Sequence, residues 1–366
     1  MKKIFFILLF CLVFSVSASA ATYETQFDLS GAEQLESSLP DTAADMLSQL
    51  NIDPADSEWV NKINTGNIFT IIGEFISSGG RAPLSSAVAI LGLIIIVSAF
   101  KLFSHEQANT PVVEYVSALA VSVTALVPVF SVITAAARSI KAGAQFMLSF
   151  VPVYGTILVA AGRPLTSAAS GGILLAAGEG IVQLATYVIV PLVGSYLAIC
   201  ITGSVSPILK TSGISELLKK TANWSLGLIM TVYIGVLTLQ TTVNSAADNM
   251  AVRTGRFLLG SFVPVVGGAL SEALTTLQSG VSLLRSSVGI YGVVVLVLTV
   301  LPVFIELLLW RAAMLLCSSA AGIFGCDGIS ALLKSADAAL SFLISVLLIC
   351  SFAFIISLAV LCTAGG

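Results

Sequence analysis

Beyond Arg81 the chain is almost continuously apolar, and its charged residues lie mostly between long runs without charge. Eight such runs cover residues 82–100, 115–137, 142–162, 180–209, 221–247, 257–271, 286–305 and 338–366. A helix needs roughly 20 apolar residues to cross a bilayer. Six runs satisfy this length, whereas those that begin at Ala142 and Phe257 are ambiguous. The pattern predicts an all-α, polytopic helical membrane protein with about six spanning helices, the first two within residues 82–140.

Residues 22–80 are the only stretch with a water-compatible composition. They carry ten of the nineteen acidic residues and one basic residue, Lys62. Apolar residues recur at helical spacing, which predicts short amphipathic helices: Leu35, Leu39, Met46, Leu47, Leu50, Trp59, Val60 and Ile63. We therefore expect a small acidic helical module over residues 21–81, outside the cytoplasm. Its composition fits either a solvated leader or a docking domain.

The first twenty residues have the pattern of a cleavable secretory signal peptide. Lys2 and Lys3 precede a short apolar stretch, residues 4–16, and the small residues Ala18-Ser19-Ala20 follow it. A basic start, a short apolar core and an A-x-A site are typical of a removed signal rather than of a spanning helix. Cleavage after residue 20 would leave the mature N-terminus outside the cytoplasm.

Two sequence matches in the same order indicate an internal tandem duplication. Ser-Phe-Val-Pro-Val-Tyr-Gly at 149–155 recurs as Ser-Phe-Val-Pro-Val-Val-Gly at 261–267, and Gly-Ile-Ser-Glu-Leu-Leu-Lys at 213–219 recurs with one change at 328–334. Both pairs are separated by about 110 residues. This period is too long for a solenoid but is known in transport proteins. We predict membrane repeat 1 over residues 141–250 and repeat 2 over residues 253–366.

The two Ser-Phe-Val-Pro segments are candidates for re-entrant or kinked elements. Run 257–271 would cover only about 22 Å as a helix, and its proline and glycine pair interrupt helical hydrogen bonding. Such backbone survives at membrane depth when it is buried in protein or lines a wet cavity. An ordinary proline-kinked spanning helix is the alternative. The candidate pore or re-entrant residues are Ser149, Phe150, Pro152, Gly155, Ser261, Phe262, Pro264, Gly267 and Gly268.

Polar residues inside apolar runs form a second set of candidates, because ionisable groups are costly in a membrane. Glu306 and Arg311 lie about 140° apart on one helix, so we expect the partner of Glu306 on another helix. A position near the headgroups is the alternative for Glu306. Gln240, Asn244 and Asp248 follow i, i+4, i+8 spacing. This polar stripe either lines a pore or joins two helices by hydrogen bonds.

The composition supports the membrane prediction and provides few residues that could catalyse a reaction or bind a metal. Hydrophobic residues make up 57% of the chain and charged residues 10%, against roughly 25% charged in soluble domains. The net charge of −3 and the lack of a basic stripe argue against nucleic acid as a partner. The single histidine, the absence of C-x-x-C pairs and the absence of known catalytic motifs predict no enzyme, no metal and no cofactor. Membrane lipid is the expected partner, and the composition is also compatible with a homo-oligomer.

The strongest family signal is Phe-Leu-Leu-Gly-Ser-Phe-Val-Pro-Val-Val-Gly-Gly-Ala-Leu-Ser-Glu-Ala at residues 257–273. Together with the signal peptide and the acidic leader, it resembles the stage III sporulation protein AE family of endospore-forming bacteria. The resemblance implies a location in the mother-cell membrane around the forespore, with the acidic module in the intermembrane space. It implies a non-enzymatic subunit of a transenvelope channel, acting with other proteins of its sporulation operon and a forespore-side partner. A self-sufficient secondary transporter and an assembly scaffold are the alternatives.

A topology reporter tests whether the Ser-Phe-Val-Pro segments re-enter. A re-entrant segment leaves the membrane on the side where it entered, so fusions after Ala169 or Leu283 are expected to report the extracytoplasmic side. A fusion within the acidic module, after Ser37, provides the extracytoplasmic control. Cytoplasmic signals at both test sites would contradict the re-entrant alternative.

Overall fold

The structure is a computed structural model in which every regular element of the described residues is helical, as the sequence predicts. It describes residues 23, 27–28, 30–56, 59, 65–103, 110–184, 187–188, 190–205, 212–262 and 267–363. For parts of these ranges, mainly within 169–280, it describes the backbone alone. The predicted signal peptide lies outside the described residues.

The main helices follow one another with short connections. The first two helices of the acidic module are α1 (Gln34–Ser37) and α2 (Asp41–Gln49). The others are α3 (Thr65–Gly79), α4 (Arg81–Phe103), α5 (Thr110–Ala160), α6 (Pro164–Leu184), α7 (Val190–Val205), α8 (Ser212–Phe262), α9 (Gly267–Ile323) and α10 (Asp327–Thr363).

Four stretches of the described chain are long and apolar enough to cross a bilayer, in agreement with a polytopic membrane protein. They are Phe69–Lys101, Val116–Ala160, Val281–Ile323 and Asp327–Cys362. The predicted runs 180–209 and 221–247 contain many residues whose side chains are not described. Their crossing of the membrane stays a prediction.

Two helices are longer than the runs predicted from the sequence. α5 has 51 residues and joins runs 115–137 and 142–162, and α9 has 57 residues, a length of about 85 Å. Residues 138–141 (Arg-Ser-Ile-Lys) contain no glycine or proline, so nothing local ends α5 between the two runs. The predicted repeat boundaries, at 140/141 and 250/253, fall inside α5 and α8. The duplication therefore has no helix end to mark it and stays a prediction.

Two glycines in the left-handed region end the long helices. Gly162 follows α5 with φ 79°, and Gly325 follows α9 with φ 68°. The amides of Arg163 and Cys326 each donate to a carbonyl five residues earlier, at 2.9 Å. This hydrogen-bond pattern satisfies carbonyls at the helix end and favours glycine at its turning position. It lets α6 and α10 begin at once and return along α5 and α9.

The α9–α10 hairpin is the centre of the bundle, and α5 packs against both of its helices. The buried residues form two clusters along the bundle. The hairpin-end core, near Gly325, includes Ile90, Ile94, Val129, Ile133, Leu307, Trp310, Leu343 and Leu347. The module-end core, at the opposite end, includes Phe146, Phe150, Tyr154, Leu284, Val288, Tyr291 and Leu358.

The acidic module contributes directly to the module-end core. We call residues 27–56 with Trp59 the cap segment; its residues Phe27, Leu35, Met46, Leu47 and Trp59 are buried in that core. α1 contacts α5 and α2 contacts α9, so the cap segment connects both helices. A freely solvated leader is therefore wrong for these residues, because their apolar face has an intramolecular partner.

Two polar anchors hold the cap segment. The Trp59 indole Nε1 donates to Ser287 Oγ at 2.8 Å inside the core, and its ring meets Tyr291 edge-on at 6.2 Å between centroids. Thr156 Oγ1 lies 2.9 Å from the Ser30 carbonyl and 2.7 Å from the Val153 carbonyl of its own helix, so its one proton is shared between the two. The acidic side chains point away from the bundle, and six are exposed: Asp28, Glu33, Glu36, Asp41, Asp45 and Asp53.

Replacing Trp59 tests the attachment of the cap segment. Trp59→Ala removes a buried ring and its hydrogen bond, and we expect about 3–5 kcal/mol of destabilisation. A lower melting temperature in detergent and faster proteolysis within residues 27–56 would measure it. Ser37→Ala, at an exposed position of α1, is the matched control. Unchanged melting and proteolysis would contradict the packing.

Candidate functional site

The first Ser-Phe-Val-Pro segment lies in the interior of α5. The helix continues through Pro152 and ends at Ala160. Proline has no N–H, so the Leu148 carbonyl loses its donor within the helix. Ser149 is half-buried, Phe150 is buried and Pro152 is exposed. This copy is therefore the interior of a long helix and not the tip of a re-entrant loop.

The second copy lies between two helices. Ser261 and Phe262 are the last residues of α8, and Gly267 and Gly268 are the first two of α9. Pro264 lies outside the described residues, and the side chains on either side of it are not described. The proposed role of this copy stays a prediction.

Phe150 packs into the bundle and faces no open path. It stacks between Phe146 and Tyr154, with ring centroids 5.7 and 5.4 Å away. Its ring rests on Gly292 of α9, where a Cβ atom would lie 2.5 Å from Phe150 Cε2. One turn away on α9, a Cβ on Gly289 would clash with Cys362 Sγ in the same way. Gly292 and Gly289 therefore allow Phe150 of α5 and Cys362 of α10 to approach the backbone of α9 closely.

The other side of the segment forms an apolar groove with α6. The groove has a volume of about 500 Å³, and its lining includes Val151, Pro152, Gly155, Val159, Gly171 and Gly172. Ser167 Oγ of α6 donates to the Gly155 carbonyl at 3.0 Å. A Cβ on Gly155 would lie 3.0 Å from the same hydroxyl, so glycine here permits the close approach of the two helices.

Asp248 caps the start of α6 from a different helix. The first amides of an α-helix lack partners within the helix. The amides of Leu165 and Thr166 donate to the Asp248 carboxylate at 3.2 and 2.8 Å, and Asp248 is 1% exposed. The carboxylate thus supplies both hydrogen bonds and the negative charge that a helix N-terminus favours. It joins α8 to the α5–α6 turn.

The predicted polar stripe is only partly involved in this contact. Ser245 Oγ, one position after Asn244, lies 3.5 Å from Thr166 Oγ1. Asn244 is half-buried, and the side chain of Gln240 is not described. The hydrogen bonds of Asp248 agree with the alternative in which the stripe joins two helices by hydrogen bonds. A pore-lining role for the rest of the stripe stays a prediction.

Two arginines lie close to this cap. Arg163 occupies the α5–α6 turn and is half-buried, and Arg285 of α9 is 8% exposed. Burial lowers the pKa of Arg163, the positive charge of Arg285 lowers it further, and the Asp248 carboxylate opposes both. Two positive charges therefore lie close to the Asp248 carboxylate.

Arg311 has a partner that sequence reasoning missed. Its Nε donates to Asp337 Oδ1 of α10 at 2.8 Å. Glu306 is half-buried and lies within electrostatic reach of Arg138 of α5. The sequence did contain a signal for this pair. If the chain turns back at Gly325, Arg311 and Asp337 come to the same level, because they are nearly equidistant from that glycine along the chain. Within the described residues, no cluster of three His, Cys, Asp or Glu side chains could hold a metal ion.

The glycine contact of Phe150 can be tested directly. Gly292→Ala puts a methyl group into the fully buried Phe150 ring and close to Leu358, and we expect about 1–3 kcal/mol of destabilisation. Gly235→Ala in α8, where nothing lies within 4 Å, is the matched control and is expected to be neutral or slightly stabilising. Melting temperatures of the purified variants measure both; equal values would contradict the contact.

Comparison with known proteins gives a consistent assignment. The chain matches the family described as Stage III sporulation protein AE over residues 58–365. A relative named Stage III sporulation protein AE from Bacillus subtilis (strain 168) is 28% identical over 142 residues, which is 39% of this chain and 36% of the relative. No solved structure matches the chain. Because the match covers the helix bundle from Trp59 almost to the last residue, the chain belongs to the stage III sporulation protein AE family.

Proposed function

We propose that the protein is a non-enzymatic integral membrane subunit of a transenvelope channel that links mother cell and forespore during endospore formation. The observation that carries this proposal is the family match over residues 58–365, which includes all four membrane-length stretches. The described polar contacts support it, because Asp248 and the Arg311–Asp337 pair join helices to one another.

The hairpin end of the bundle faces the cytoplasm in this proposal. Lys101 Nζ donates to the Gly325 carbonyl at 3.1 Å, and Lys334 is exposed near the same turn. Short loops rich in lysine and arginine favour the cytoplasmic side, but Arg163 and Arg285 lie at the opposite end, so this orientation rests on the acidic cap segment. From Tyr291 to Gly325 the helix rises about 50 Å, which is enough for a bilayer of about 40–45 Å with its headgroups.

The cap segment lies outside the cytoplasm in the same orientation. Its six exposed carboxylates cannot enter hydrocarbon, and the segment packs beside α5 and α9 at the far end from Gly325. The first Ser-Phe-Val-Pro segment is then at the outer membrane surface. Residues 21–81 would occupy the space between the mother-cell and forespore membranes, where partner proteins can reach them.

A secondary transporter is the second candidate, and one observation favours it. Glu306 lies about 28 Å from Gly325 along α9, near the middle of the bilayer in this orientation. It is half-buried beside Trp310 and within electrostatic reach of Arg138. Ionisable groups at this depth often mark ion or proton pathways. An assembly scaffold that conducts nothing is the third candidate.

A charge-neutral variant separates the channel subunit from the transporter. We expect tagged wild-type chain and Glu306→Gln from sporulating cells to retain the operon partners equally and to support forespore integrity. The reason is that a subunit uses Glu306 only in packing. Co-purification and microscopy of the forespore measure the two outcomes.

Solute transport by the purified chain in liposomes tests the transporter alternative. A self-sufficient transporter would move a defined solute alone and lose this activity in Glu306→Gln while partner binding persisted. That result would overturn the channel-subunit proposal. Ser341→Ala, a small polar change in α10 within the membrane, is the control for nonspecific effects.

A further inference from the structure

One face of α8 carries a row of apolar side chains that the other described helices leave uncovered. Val236, Leu239, Val243 and Met250 are between 49 and 72% exposed, and Ala246 between them is also exposed. Steps of three, four and seven residues place all five on one face of a helix. We call these five residues the outer row.

The opposite face of α8 is fixed to the bundle, where α8 packs against α6 and α10. On that face Leu237 is 1% exposed and the buried Asp248 caps α6. Leu239 lies two residues after Leu237, and Ala246 two residues before Asp248. Two residues correspond to about 200° around a helix, so the outer row points away from the bundle.

The outer row lies outside the bilayer in the orientation proposed above. Tyr233 Oη and Ser357 Oγ of α10 lie 2.6 Å apart, and Leu358 lies beside Gly292, at the outer membrane surface. Asp248 is about 22 Å farther along α8, beside the α5–α6 turn. The outer row therefore extends outward from the membrane surface, where lipid chains cannot cover it. Contiguous apolar surface in water marks a protein interaction site.

The outer row has the register of a parallel two-stranded coiled coil. Val236, Val243 and Met250 recur every seven residues, and Leu239 and Ala246 each follow a valine by three. Valine at the first of these positions and leucine at the second favour two parallel helices. Copies of one chain inserted in the same direction have parallel α8 helices about an axis normal to the membrane. A second copy of this chain therefore fits the outer row.

We propose that two copies of the chain associate through their outer rows, with the two Leu239 side chains opposite each other across the two-fold axis. A two-fold contact uses the same patch on both copies, so each group must be compatible with itself. The positions beside the row are uncharged and create no repulsion: Gln240, Thr242, Ala247 and Asn249. This inference rests on the orientation given under the proposed function and makes a pair of chains the unit of that membrane subunit.

Cross-linking of the full-length chain in membranes tests this geometry. Leu239→Cys places two thiols opposite each other, and mild oxidation should join two chains through a disulfide. Ala251→Cys is the matched control, because this position is exposed on the same helix but outside the outer row. It should give no more cross-linked dimer than the wild-type chain, whose own cysteines set the background.

A charge series at Leu239 tests the energetics of the contact. Leu239→Lys brings two like charges together and should weaken the dimer by about 100-fold, measured by analytical ultracentrifugation in detergent. Ala251→Lys adds the same charge outside the row and should remain dimeric. Leu239→Glu should also be monomeric alone. Differently tagged Leu239→Lys and Leu239→Glu chains should co-purify when mixed, because unlike charges attract, and this recovery shows that both variants fold.

A wild-type chain that sediments as a monomer would overturn the proposal, as would equal cross-linking of Leu239→Cys and Ala251→Cys. Equal loss in Ala251→Lys, or no association of the Lys and Glu chains, would do the same. If Leu239→Cys cross-links to a different protein in sporulating cells, the outer row belongs to that partner and the proposal is wrong. The dimer assays need no operon partner and no forespore, so their failure is distinct from failure of the channel proposal.

Discussion

The membrane interior offers no water to the peptide backbone, and this constraint shapes the whole bundle. Every amide and carbonyl there must find a partner within the protein, which favours uninterrupted helices. α5 and α9 accordingly continue through prolines and past isolated charges. At the helix ends, where the hydrogen-bond ladder stops, Gly162 and Gly325 turn the chain sharply and satisfy the last carbonyls.

The same constraint explains why several polar side chains form contacts between helices. Asp248 completes the hydrogen bonds at the start of α6, and Lys101 reaches the carbonyl at the end of α9. Arg311 and Asp337 neutralise each other between α9 and α10. Each contact satisfies a group whose isolation in hydrocarbon would cost several kcal/mol. Such contacts hold neighbouring helices at fixed positions.

The cap segment adds a connection that a membrane bundle does not need for its own insertion. It contacts α5 through Thr156 and α9 through Trp59, and it precedes the range matched by the family, apart from Trp59. Its carboxylates stay exposed while its apolar face completes the module-end core. The outer surface of the cap segment is thus strongly acidic, and the segment is attached to two long helices.

The sequence by itself determined the helical class, the membrane location, the acidic module and the family. Length, hydropathy and one characteristic segment are local properties, and they are readable without coordinates. Only the tertiary structure decided that Phe150 rests on Gly292, that Asp248 caps α6 and that Arg311 pairs with Asp337. These contacts join residues 26 to 142 positions apart. Hydrophobic periodicity gives the face of a helix, but the partner of that face depends on how all the helices pack together.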